Sequence, residues 1–219
     1  MSIMKKSHTL FIAQFSILLA IEALFCFTVL GSIPFTPVIV ATLGMIPVII
    51  TAIMLGVWAG TAMGAFAGLF SFIVWTFMPP NPLLAFAFTP FATAGAFSGN
   101  FGSVLICFAP RILVGTVAGL SYKLLSKKIK KDIPCFVISA VLGSLVNTFG
   151  VLGGIWLFFG KQYSSAVSDM SGAAMTILYI VGFLILTNGI PEAVVSAIVC
   201  PAVCKPLKMV LARSGKNKE

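Results

Sequence analysis

The sequence has 219 residues, of which 59% are hydrophobic and only 9% are charged, with a formal net charge of +9. A soluble domain carries roughly a quarter charged residues, so this chain lacks the side chains to cover a water-facing surface. Its apolar runs extend over about twenty residues without polar alternation, which favours membrane-spanning helices over barrel strands. The composition therefore predicts an all-α, polytopic membrane protein built as a six-transmembrane-helix bundle.

Six spans are predicted in chain order, each of them an apolar run bounded by proline, glycine or charged residues. The proline- and aromatic-rich segment 78–103 is too broken for a span and too apolar for an ordinary loop, so we expect it to cap the bundle. A single membrane domain, 1–219, is predicted to contain spans at about 10–30, 38–55, 61–77, 104–125, 133–159 and 173–200.

The basic residues predict the orientation of these spans. Lys5 and Lys6 precede the first span, and the opposite loops carry a single basic residue, Lys161. Five lysines lie in the connection between the fourth and fifth spans, at Lys123, Lys127, Lys128, Lys130 and Lys131. Five more basic residues follow the sixth span, at Lys205, Lys208, Arg213, Lys216 and Lys218. The positive-inside rule then places both termini in the cytoplasm, and the net charge requires no nucleic-acid partner.

Motifs of catalytic and nucleotide-binding sites are absent from the sequence. It has no Walker-type loop, no His-Glu-x-x-His or Gly-x-Ser-x-Gly motif and no clustered acidic pair. The five cysteines are scattered, and the one histidine, His8, lies near the amino terminus, which is too little for a metal site. We therefore expect no enzyme activity, no catalytic residue, no metal and no cofactor.

Polar side chains interrupt the predicted spans, and each is costly in hydrocarbon unless it has a partner or a function. Arg111 lies about ten residues into the fourth span, and Gly115 and Gly119 share its helical face, where another helix can approach closely. Asn147 lies near the middle of the fifth span. A guanidinium binds a carboxylate through two hydrogen bonds, and an amide both donates and accepts. Arg111 and Asn147 are therefore predicted to line a ligand cavity.

A structural role is the alternative for these polar groups. Arg111 has two acidic candidates for an ion pair, Glu22 in the first span and Glu192 in the sixth. Asparagines also form hydrogen bonds between membrane helices, at about 1–2 kcal/mol or less. For Glu22 and Glu192 the structural interpretation is at least as strong as a functional one.

Four stretches of the sequence carry a resemblance to a known family. They are Ala41–Ile50 running into Leu55–Gly60, Pro110–Gly115, Gly143–Thr148 and Asn188–Glu192. In this order, and together with six spans and no nucleotide site, they resemble the substrate-binding (S) subunit of energy-coupling-factor (ECF) vitamin transporters. The likeness covers nearly the whole chain.

The resemblance implies a division of labour among subunits. Such a subunit binds a vitamin ligand from outside, within the cell membrane, and docks on a membrane coupling subunit carried by two cytoplasmic ATPase subunits of an ECF module. Docking in the family uses small residues four apart on the first helix, for which Ser16 and Ala20 are the nearest match here. Small residues allow close contact between helices.

The Pro-Arg and Asn-Thr stretches are most similar to the pantothenate branch of the family. Pantothenate carries a carboxylate, an amide and two hydroxyls, and we expect Arg111, Asn147 and Asn188 to bind them. Riboflavin, folate, thiamine and pyridoxine remain alternative ligands. An autonomous proton- or ion-coupled carrier that uses Glu22 and Glu192, a membrane-embedded enzyme and a purely structural subunit remain alternative functions.

Overall fold

The computed structural model describes residues 8–28, 32–34, 40–94, 97–172 and 174–216. The α-helices in this part of the chain are α1 (His8–Phe27), α2 (Met45–Leu55), α3 (Val57–Phe77), α4 (Phe101–Lys128), α5 (Asp132–Ser171), α6 (Ile177–Leu184) and α7 (Ile190–Lys216). A 3-10 helix forms at Pro82–Ala87, and a π-helix at Ile185–Gly189 joins α6 to α7. The antiparallel strand pairs are Ser32–Pro34 (β1) with Val40–Thr42 (β2), and Thr93–Ala94 (β3) with Phe97–Ser98 (β4).

The helices have the lengths and composition of a membrane bundle. Five segments of the described chain are long and apolar enough to cross a membrane, the last of them running through α6, the π-helix and α7. Helix α2 is apolar but has only 11 residues, about 16 Å, against a hydrocarbon thickness of about 30 Å. Nine of its residues are buried, so α2 lies inside the bundle. The predicted all-α membrane bundle is confirmed.

The second helix is shorter than predicted, and the third is longer. Residues 40–42 form β2 and pair with β1, so α2 begins at Met45 and not at the predicted residue 38. Residue 38 itself, and the predicted end of the first span at 29–30, lie outside the described residues. Pro47 lies in the first turn of α2, where its missing N–H costs no hydrogen bond. Gly56 has a φ of +106°, which breaks the helix at one residue and lets α3 begin at Val57.

Helix α5 continues 12 residues beyond its predicted end at Phe159. It has 40 residues, about 60 Å, and so extends well past the hydrocarbon layer. No glycine or proline occurs between Lys161 and Ser171, so nothing in the sequence stops the helix before Gly172. Gly172 has a φ of +68°, the left-handed conformation that commonly ends helices. Residues 160–171, which lie between the predicted fifth and sixth spans, are therefore helical.

The last span contains a π-helix at Ile185–Gly189. The backbone N–H of Ile190 donates to the carbonyl of Ile185, five residues earlier, directly before Pro191. A proline ring clashes with the carbonyl four residues before it, and a wider turn relieves that clash. Helix α7 then runs to Lys216, past the predicted end at Cys200, while the predicted start at 173 lies outside the described residues.

Helices α3 and α4 approach each other closely at three glycines. A methyl group on Gly64 would overlap the carbonyl oxygen of Arg111, and one on Gly115 would overlap that of Gly60. All three glycines are buried. The hydroxyls of Thr61 and Thr116 lie 2.8 Å apart across the same contact. The predicted glycine-lined face of α4 is confirmed, and its partner is α3.

The ends of three helices meet on one side of the bundle. Lys208 of α7 forms an ion pair with Asp132 at the start of α5, with Nζ and Oδ1 2.5 Å apart. Tyr122 near the end of α4 stacks on Phe136 of α5 at a centroid distance of 5.4 Å. The basic connection between α4 and α5 and the basic end of α7 therefore lie at the same end.

Candidate functional site

Arg111 is positioned by the proline before it. Pro110 has no N–H, so the carbonyl of Ile106 lacks its usual helical partner. The Nη1 of Arg111 donates to this carbonyl at 2.9 Å, which holds the side chain toward the start of α4. A guanidinium has five N–H donors, and this is the one bond that the described residues give it. No ion pair with Glu22 forms, so the remaining donors stay available to a ligand.

Two asparagines on other helical elements line the same cavity as Arg111. Asn147 of α5 is buried, and Asn188 lies in the π-helix. The Oδ1 of Asn188 has no hydrogen-bond partner among the described residues. A methyl group on Gly189 would lie 2.7 Å from Cγ2 of Thr148, so the glycine allows the π-helix to pack closely on α5. The π-helix thus presents Asn188 beside Asn147.

These side chains line two adjoining cavities inside the bundle. The larger, of about 110 Å³, contains all three predicted ligand-binding residues, Arg111, Asn147 and Asn188. The smaller, of about 50 Å³, lies toward α1 and α2 and includes Glu22. Arg111, Asn147 and Trp75 line both cavities and separate them. The side chains of Arg111 and Asn147 are therefore accessible from both cavities.

The wall of the larger cavity comes from a segment that the sequence predicts only as a cap. Phe88, directly after the 3-10 helix, stacks on Trp75 with ring centroids 4.3 Å apart and an interplanar angle of 19°. The Oγ of Ser103 donates to the carbonyl of Phe86 at 2.7 Å and ties the segment to α4. The segment packs against α4 and α5, and Phe88 closes part of the cavity.

The side chains that line the larger cavity without being predicted as site residues include Trp75, Phe88 and Tyr163. Trp75 and Phe88 belong to the apolar end of α3 and to the cap, and only their stacking reveals a cavity wall. Tyr163, which follows the predicted end of the fifth span, is buried on the extended part of α5 and lines the larger cavity. The lack of helix breakers after Lys161 was the available signal for Tyr163.

The predicted docking residues lie apart from this site. Ser16 and Ala20 are both exposed on α1, four residues apart on one helical face. Neither lines a cavity with Arg111. Their exposure leaves this face of α1 open to another protein or to lipid.

The larger cavity, which Glu192 also lines, combines a cationic group with polar and apolar walls. Arg111 supplies a fork of donors that fits a carboxylate, and the asparagines supply both donors and acceptors. Trp75, Phe88 and aliphatic side chains provide apolar walls. Among the described residues no three His, Cys, Asp or Glu side chains are grouped as a metal site would require.

Comparison with known proteins places this arrangement in a family. The family model described as ECF transporter, substrate-specific component, matches residues 10–204. The pantothenic acid transporter PanT of Lactococcus lactis subsp. cremoris (strain MG1363) is 30% identical over 204 residues, which are 93% of this chain and 94% of PanT. The solved structure of ThiT from Listeria monocytogenes is similar with a TM-score of 0.56 at 18% identity, over 90% of this chain and 94% of that chain.

These findings agree with the bundle and its cavity. The family match begins in α1 and ends in α7, so it includes every element that lines the two cavities. The likeness to ThiT concerns the fold, which is a membrane helical bundle. The chain belongs to the family of ECF transporter substrate-specific components, and it is a multi-pass membrane protein of that class.

Proposed function

We propose that this chain binds pantothenate and is the pantothenate-specific component of an ECF transporter. The observation that carries the proposal is the convergence of Arg111, Asn147 and Asn188 on one cavity from three separate helical elements. The 30% identity to PanT, over nearly the full length of both chains, supports pantothenate among the vitamins.

The groups of pantothenate match those of the larger cavity. Its carboxylate pairs with the guanidinium of Arg111, which forms charge-assisted hydrogen bonds of about 1.5–3 kcal/mol. Asn147 and Asn188 bind the amide and a hydroxyl, because each side chain can donate and accept. The unpartnered Oδ1 of Asn188 supplies one of the acceptors.

Pantothenate is expected to raise the melting temperature of the purified, detergent-solubilised chain. A ligand that binds only the folded state stabilises it by about 2.7 kcal/mol at one hundred times its Kd. The measurement is thermal unfolding against a panel of pantothenate, riboflavin, folate, thiamine and pyridoxine. A shift with a different vitamin would reassign the ligand, and no shift with any would contradict vitamin binding.

The chain acts, in this proposal, as one membrane domain with both termini in the cytoplasm. The meeting of the basic α4–α5 connection with the basic end of α7 supports this orientation, because Lys208 and Asp132 pair there. The partners are a membrane coupling subunit and two cytoplasmic ATPase subunits. Ser16 and Ala20 form the docking face, and their exposure on α1 supports that role.

Ala20→Trp is expected to abolish pantothenate uptake in cells while leaving the Kd of the isolated chain unchanged. A bulky side chain on an exposed face prevents close helix contact but does not reach the cavities. Ala109→Trp, at an exposed position of α4, is the matched control and should sustain uptake. Continued uptake by Ala20→Trp would show that this face of α1 is not the docking face.

A further inference from the structure

Glu22 is the only side chain that α1 buries completely, counted over the described side chains of residues 9–27. Its exposed fraction is 0%, whereas the apolar side chains of the same helix are exposed or half-buried. A helix that joins a bundle normally buries apolar residues. A buried carboxylate is costly in a membrane unless it is paired or has a function.

The protein satisfies only half of this carboxylate. Oε1 of Glu22 accepts a hydrogen bond from Sγ of Cys26, 3.3 Å away, and a thiol is a weak donor. Oε2 has no hydrogen-bond partner among the described residues. No ion pair joins Glu22 to Arg111, although both line the smaller cavity. A structural role for Glu22 would require Oε2 to accept a hydrogen bond or join an ion pair. Among the described residues it does neither.

The position of Glu22 allows its unpartnered oxygen to contact a bound ligand. Glu22 lines the smaller cavity, and Trp75, Arg111 and Asn147 line both that cavity and the larger one. A ligand held by Arg111 at this shared boundary therefore lies beside the cavity that Glu22 lines. A ligand hydroxyl at this position would donate a hydrogen bond to Oε2, which has no other partner among the described residues.

We propose that Glu22 is a specificity-determining residue that accepts a hydrogen bond from a hydroxyl of the ligand. The proposal rests on the proposed function, in which Arg111 binds the carboxylate of pantothenate. The ligand class is thus an acid with a hydroxyl at a distance from its carboxylate. Bound in this way, the ligand bridges α1 and α4.

The first test compares ligands and variants in one cycle. Isothermal titration calorimetry measures the Kd of pantothenate and of two analogues, each lacking one hydroxyl, for the wild-type chain and Glu22→Ala. We expect one of the missing hydroxyls to weaken wild-type binding roughly 10- to 100-fold. The same analogue should bind Glu22→Ala as tightly as pantothenate does. A wild-type preference that persists in Glu22→Ala for both analogues would overturn the proposal.

A matched control comes from Ser139 of α5. Its hydroxyl is also fully buried and has no hydrogen-bond partner among the described residues, but it lines neither cavity. Ser139→Ala should therefore retain the wild-type Kd for pantothenate and both analogues. If Ser139→Ala also lost the preference for pantothenate over the analogues, removal of any buried polar group would produce the effect. That result would overturn the role of Glu22.

The second test needs no ligand and separates this proposal from the proposed function. Glu22→Met keeps the size of the side chain and removes the unsatisfied carboxyl oxygen, so the ligand-free variant should melt at the wild-type temperature or above it. A lower melting temperature would show that Glu22 is structural and would overturn the proposal. If wild-type protein binds no pantothenate, the proposed function fails, and the ligand-free melting temperature still decides about Glu22.

Discussion

Arg111→Ala is expected to weaken pantothenate binding to the purified chain by at least about tenfold. Among the described residues the guanidinium is the cationic group that lines both cavities, and a lost charge-assisted hydrogen bond costs about 1.5–3 kcal/mol. The loss grows when the carboxylate of the ligand stays buried and unpaired, toward about 2–5 kcal/mol. Titration calorimetry gives the Kd directly, and size-exclusion chromatography checks that the variant remains folded.

Two further variants separate the role of Arg111 from a general effect of charge. Lys161→Ala removes a positive charge from an exposed position of α5 that lines neither cavity, and it should leave the Kd within about twofold. Arg111→Lys keeps the charge but loses the planar fork, so its Kd should fall between those of wild type and Arg111→Ala. Equal affinity of Arg111→Ala and wild type would remove Arg111 from the site.

Gly115→Ala is expected to lower the melting temperature by roughly 5–10 °C, because its methyl group would overlap the carbonyl oxygen of Gly60. Backbone atoms cannot rotate away as side chains do, so α3 and α4 must separate. Gly115 lies one turn after Arg111, whose own carbonyl contacts Gly64. Separation should therefore also displace the guanidinium and weaken ligand binding. Thermal unfolding and pantothenate titration of the same preparation measure the two effects.

Gly153→Ala is the control for this substitution. Nothing lies within 4 Å of a methyl group at Gly153, an exposed position on α5. Alanine is favoured over glycine inside a helix by about 1 kcal/mol, so the control should melt at or slightly above the wild-type temperature. Similar melting temperatures for Gly115→Ala and Gly153→Ala would contradict a tight α3–α4 contact.

Some of the residues that line the candidate site could be predicted from the sequence. Arg111 and Asn147 are detectable because polar groups are rare and costly in a span, so each one signals a partner or a ligand. Asn188 came from resemblance to a family, and the structure brings it to the same cavity. Trp75 and Phe88 gave no such signal, because aromatic residues are ordinary in a membrane protein and their stacking depends on how the cap folds.

The limits of the helices illustrate what local sequence misses. A hydropathy pattern recognises an apolar run but does not separate a strand at 40–42 from the start of α2, because both are apolar and the difference is the pairing with β1. The end of α5 at Ser171 follows from local stop signals, which the polar composition of 160–172 obscured. The π-helix depends on how the chain accommodates Pro191.

By itself, the sequence determined the class of protein, because 59% hydrophobic and 9% charged residues leave membrane helices as the structure that satisfies the backbone in lipid. It also determined the polar residues that need an explanation. The tertiary structure alone decided which of them meet: Arg111 faces Asn147 and Asn188, whereas Glu22 does not form the ion pair that its charge allows. These contacts join residues far apart in the chain, and they depend on the close approach of helices at Gly64 and Gly115, which no local pattern specifies.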